Sequence, residues 1–166
     1  MGNDIVEIRA HLAALIAADK ALLEPVRAQI HSAESERFPE AQWALRRVEE
    51  LLATQVDELC EHVRRLGGDP HAAGSGESLA TDLLHSAARS LNAQTVARSL
   101  RNYYTALSLA HSDVLLLETT ARARGYSSTA ALARRHREEI NTLLLAIRDL
   151  LPSAVKEEIA ELEVPT

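Results

Sequence analysis

The chain has 166 residues, a formal net charge of −6 and only 3% aromatic residues, and Ala, Leu, Glu and Arg are abundant. These are strong helix formers, and the length fits one domain with a sizeable core. Cys60 is the only cysteine, which excludes an intramolecular disulfide and a cysteine-based metal site. The acidic balance, without a basic arm, disfavours direct DNA binding. No signal peptide or membrane-spanning apolar run is evident, so we expect a cytoplasmic protein.

Two long helices are predicted in the first half of the chain. The first covers about residues 4–33, where apolar residues recur at helical spacing. Pro25 lies inside this run, and proline removes a helical hydrogen bond, so we expect a kink or a break there. The second helix covers about residues 39–66 and is stopped by Gly67 and Gly68.

The second half begins with a long connection. Residues 68–78 are rich in Gly, Ser and Pro and predict a loop, and a short helix is predicted at about residues 79–91. A third long helix covers about residues 94–124, and a fourth runs from Ser127 or Ser128 to about residue 151. Beyond Pro152, a short amphipathic tail covers residues 154–162.

These elements predict an all-α fold, an antiparallel four-helix bundle. A connection this long between the second and third helices, with its own short helix, is typical of a crossover along the length of a bundle. The predicted division is a bundle at residues 1–151 and a short C-terminal helical tail at residues 152–166.

Several ionisable residues fall inside the apolar stripes when each helix is turned by 100° per residue. They are Asp19, His111, Glu118 and His136, and His62 lies at the edge of the stripe on the second helix. Buried charges are costly unless they are paired or bound to a metal. One hypothesis is therefore a carboxylate and imidazole metal site inside the bundle, for which iron, manganese and zinc are all suitable.

The alternative is purely structural. Glu118 and His136 then form a buried hydrogen-bonded pair, and Asp19 pairs with a nearby arginine. Carboxylate-bridged di-iron sites in four-helix bundles use two Glu-x-x-His pairs, and this sequence has none. That absence favours the structural alternative, and a metal-free protein stays open.

A second group projects from the opposite side of the second helix. It consists of Trp43, Glu50, Asp57 and Glu61. An acidic helix face is commonly just solvated, which is the simpler reading for Glu50. An exposed tryptophan often marks an interface, so Trp43 and Glu50 are predicted to lie at a contact between copies of the chain, in a dimer or a higher oligomer.

The end of the second helix carries a family likeness. Asp57, Glu61 four residues later, and then Leu-Gly-Gly-x-Pro at residues 66–70 resemble helix B of the Dps mini-ferritins. The resemblance implies a ferritin-like bundle in which Asp57 and Glu61 bind iron at a dimer interface, with histidine from the partner subunit. His31 matches the family's histidine near the end of the first helix, but its second histidine has no match here.

The region from about residue 125 to residue 151 is also similar to the YciF-like branch of ferritin-like proteins. The family likeness implies ferrous iron binding, oxidation by peroxide or dioxygen as in a ferroxidase, and a role in iron storage or protection from oxidative stress. The degenerate motifs leave open a metal-free ferritin-like bundle that acts as an oligomeric interaction or structural protein. Hemerythrin-like and hydrolase functions lack the required residue patterns.

Overall fold

The computed structural model of the chain describes residues 2–32, 37–71 and 95–162. These residues form four α-helices: α1 (Gly2–Ile30), α2 (Pro39–Arg65), α3 (Val96–Ala123) and α4 (Ser127–Leu162). The described ranges contain no β-strand, so the predicted all-α fold with four long helices is confirmed. Most of the predicted connection, including the short helix at 79–91, lies outside the described residues.

Helix α1 continues past Pro25, where a break was one of the two expectations. The missing hydrogen bond at an internal proline costs roughly 3 kcal/mol. Packing offsets this cost, because Leu22, Val26 and Ile30 on either side of Pro25 are buried. Each buried aliphatic side chain contributes about 1.5–3 kcal/mol.

Two glycines end α2 and α3 where the sequence predicts. Gly67 has φ of 72° and Gly125 has φ of 79°, a left-handed conformation that suits glycine because it lacks Cβ. The Gly68 amide then donates to the Val63 carbonyl, and the Tyr126 amide donates to that of Ala121. This pattern closes the last helical turn in both places.

Helix α4 does not end at residue 151 as predicted, but continues through Pro152 to Leu162. The extension packs on the bundle, since Ala154 is buried. Its Glu158 carboxylate accepts the Ala97 amide hydrogen at 2.7 Å. Thr95, the N-cap residue of α3, makes no side-chain cap there, so α4 supplies the capping oxygen that satisfies this amide.

The helices pack around one apolar core, with α1 against α2, α3 against α4, and α2 against α4. Arg9 near the start of α1 donates to the Leu66 carbonyl, and Gln42 near the start of α2 donates to that of Ile30. None of the helices in the described ranges is both long enough and apolar enough to cross a membrane.

Candidate functional site

The polar interior of the bundle is centred on the contact between α2 and α4. His136 is 1% exposed, and its Nε2 donates to Glu58 Oε2 at 2.7 Å. Arg135 donates to the same oxygen at 2.6 Å, but its side chain is 53% exposed. Glu58 therefore joins a buried imidazole to a surface guanidinium.

Two further side chains extend this network along the same contact. His62 Nε2 lies 2.8 Å from Thr129 Oγ1, and both residues are buried. Buried Gln55 donates to the His136 carbonyl at 3.3 Å and to Glu139 at 3.4 Å. The α2–α4 contact thus satisfies its polar groups by hydrogen bonds between the two helices.

Burial keeps both histidines of this network neutral near physiological pH. It lowers the pKa of His136 and outweighs the opposing effect of Glu58. Burial also lowers the pKa of His62, and electrostatic repulsion from Arg65 and His136 lowers it further. Burial alone raises the pKa of Glu58, but the bonds from His136 and Arg135 hold it below its usual range.

Glu118 is 4% exposed and is held by arginines rather than by His136, so the predicted Glu118–His136 pair is wrong. Arg137 donates to it at 2.9 Å and Arg134 at 3.3 Å, and Arg122 makes a third bond. Burial alone raises the pKa of Glu118, but the hydrogen bonds and positive charges of the arginines outweigh burial and hold the pKa below its usual range. Arginines at 134 and 137, one turn apart on α4, were the sequence signal for this cluster.

Asp19 is also buried, at 4% exposure. Within the described residues its carboxylate makes no hydrogen bond or ion pair, so the predicted arginine partner is not found there. Burial raises its pKa to about 8. His111 is half-buried rather than part of the core. His11 and Asp113, which the sequence pattern did not single out, interact across α1 and α3.

The in-bundle candidates are therefore distributed over separate places. His62 and His136 share the α2–α4 contact, whereas Glu118 belongs to the arginine cluster. Nowhere in the described part of the chain do three or more His, Cys, Asp or Glu side chains form a group that could hold a metal ion. Because Glu118, His136 and His62 already bond protein groups, this interior does not fit a di-iron centre.

The interfacial candidates lie on the surface. Asp57 and Glu61 are exposed on the outer side of α2, and four residues separate them, which places them one turn apart on one face. Glu61 lies 4.0 Å from Arg65. His31 is exposed just after the end of α1, so within one chain it stands apart from both acids.

Trp43 lies on the same side of α2 and is 54% exposed. It borders a groove of about 520 Å³ between α2 and α4. Leu51 and Leu143 contribute apolar surface to the groove, and Arg47 and Glu50, 2.8 Å apart, form an ion pair beside Trp43. A large apolar side chain is thus exposed next to a concave surface that is rimmed by charges.

Comparisons with protein families, with curated proteins and with solved structures found no significant match.

Proposed function

We propose that this chain is an oligomeric helical-bundle protein that acts through contacts between its own copies, made by the outer face of α2. The observation that carries the proposal is Trp43, which exposes more than half of its surface beside the groove. Tryptophan is enriched at protein interfaces and depleted on free surfaces, because it buries a large apolar area and keeps one polar N–H.

The bundle architecture that we infer is antiparallel, with a crossover between α2 and α3. The end of α2 meets the start of α4 through His62 and Thr129. The start of α3 meets the far end of α4 through Ala97 and Glu158. The end of α2 and the start of α3 therefore lie at opposite ends of a bundle about 40 Å long, at 1.5 Å per helical residue. This geometry supports the long connection of a ferritin-like fold.

The first prediction concerns the mass of the protein in solution. Light scattering coupled to gel filtration is expected to give a multiple of the 18.2 kDa chain mass. Trp43→Ala is expected to shift the equilibrium toward the monomer by a factor of ten or more, since interface tryptophans commonly contribute about 2 kcal/mol.

Leu116→Ala is the matched control, because Leu116 is 56% exposed on α3 and is also a large apolar residue. It is expected to leave the mass unchanged. A monomeric wild-type protein contradicts the proposal, and so does an oligomer that dissociates on changing Leu116 but not Trp43.

A second candidate function is iron binding and oxidation between copies of the chain, for iron storage or protection from oxidative stress. Asp57 and Glu61 support it, because they are exposed one turn apart. Carboxylates bind iron in both of its common oxidation states, and a histidine would complete a mixed ligand set. A ferroxidase activity would then depend on assembly.

The position of His31 explains why this site needs two copies. Gln42 contacts Ile30, so His31 lies near the level of residue 42 on α2. Asp57 is farther along α2 by about 22 Å at 1.5 Å per residue. Metal–ligand bonds are only about 2 Å long, so His31 and Asp57 of one chain cannot share an ion.

The second prediction is tested by anaerobic titration with ferrous iron. If the interfacial site exists, the protein binds iron, and Asp57→Ala combined with Glu61→Ala reduces the affinity by a factor of 100 or more, because two ligands are lost. His31→Ala is also expected to weaken iron binding, whereas His71→Ala, a change at another exposed histidine, is the control and is expected to leave it unchanged. If the protein is oligomeric but binds no iron, the iron-binding candidate is contradicted, and the proposal of an oligomeric interaction protein stands.

A further inference from the structure

The outer face of α2 carries its charges in an order that is complementary to itself when the helix is reversed. Along the chain, Glu40 is acidic, Arg46 is basic, Asp57 is acidic and Arg65 is basic, and all four are exposed. They flank Trp43 on the outward side of the helix. Reversal therefore places basic groups where acidic groups stood.

We propose that two copies pair α2 against α2 in opposite directions, about a two-fold axis near residue 52. Arg46 then faces the partner's Asp57, and Glu40 faces the partner's Arg65, each twice in the dimer. The proposal rests on the self-association proposed above and specifies its direction and register. An isologous contact of this kind closes as a dimer.

The two ion pairs also match in their position around the helix. In an antiparallel pair, the axis relates residues that lie on the same flank. At 100° per residue, Arg46 and Asp57 lie toward the flank of Glu49, which contacts Arg27 of α1 at 2.8 Å. Glu40 and Arg65 lie on the opposite flank, toward α4. Each pair can therefore meet without crossing Trp43.

Other arrangements of the same two helices bring like charges together. A parallel pairing places every charged residue beside its own copy. A slide of about two turns places Arg46 opposite the partner's Arg65 and Glu50 opposite the partner's Glu61. Like charges across a contact are destabilising. The register centred near residue 52 brings Glu50 beside its own copy, but Arg47 pairs with each Glu50 at 2.8 Å, so the charge order favours this register over the other two.

A charge exchange tests this register. Sedimentation velocity over a range of protein concentrations gives the dissociation constant of the dimer. Arg46→Asp alone and Asp57→Arg alone are each expected to weaken the dimer about tenfold, because two attractive pairs become repulsive. The double variant R46D/D57R restores opposite charges and is expected to return within about threefold of wild type. Arg101→Asp, the same change at an exposed position on α3, serves as control.

A cross-linking experiment gives a second reading that does not depend on charge. Glu50 lies close to the axis, so Glu50→Cys is expected to form a disulfide-linked dimer on mild oxidation, whereas Arg101→Cys is not. A wild-type dimer that neither single charge variant weakens overturns this register but not the assembly itself. Failure of the double variant to restore the dimer, or of Glu50→Cys to cross-link, also overturns it. A monomeric wild type overturns both proposals.

Discussion

Replacing Asp19 by asparagine is expected to stabilise the protein increasingly as the pH rises from 4 to 8. Burial raises the pKa of Asp19 to about 8, whereas an unfolded Asp titrates near 3.9. Between these values the folded state holds a proton that the unfolded state has released, so the free energy of unfolding falls with rising pH. At 1.36 kcal/mol per pKa unit, the loss is on the order of 5 kcal/mol by pH 8.

Urea unfolding of the wild type and Asp19→Asn at pH 4, 6 and 8.5 measures this effect. Asparagine has nearly the same shape and does not titrate, so the difference between the two proteins isolates residue 19 from the histidines and the other carboxylates. Asp149→Asn, at an exposed position on α4, is expected to show no such trend. Equal stabilities of wild type and Asp19→Asn at all three pH values contradict the prediction.

The second large effect is expected at His136. His136→Ala is expected to lower the free energy of unfolding by about 3 kcal/mol at pH 7, because it leaves a cavity and removes a buried hydrogen bond. Arg135 bonds the same Glu58 oxygen but is 53% exposed. Arg135→Ala is therefore expected to cost less than about 1 kcal/mol, as for a surface ion pair.

Thermal or urea unfolding of these two variants distinguishes a buried network from a surface charge network. The prediction requires the His136 change to cost clearly more than the Arg135 change. If the two losses are equal, the attraction of surface charges to Glu58 dominates, and the α2–α4 contact does not depend on the buried imidazole.

The helices could be predicted to within a few residues at most ends, since glycine stops and apolar periodicity are local signals. Gly67 and Gly125 end their helices as predicted. The exceptions are at Pro25 and Pro152, where the chain stays helical. A local rule predicts a break at proline, but the energy that keeps the helix intact comes from packing against other helices.

Burial within the candidate site was predictable, but the choice of partners was not. The 100° rule correctly places Asp19, Glu118 and His136 in the interior. His62, which the rule places at the edge of its stripe, is buried as well. Which side chain meets which depends on the axial shift and rotation between helices, and a shift of one turn is 5.4 Å. Such a shift is enough to give His136 a carboxylate of α2 instead of Glu118 on α3.

The capping of Ala97 by Glu158 has a consequence for how the protein opens. Helices α3 and α4 are joined covalently through Gly125 at one end and by this hydrogen bond at the other. Both ends of the helix pair are therefore restrained. Fraying normally starts at unrestrained ends. Because the last turns of α4 restrain the start of α3, the two helices are expected to unfold together as one cooperative unit.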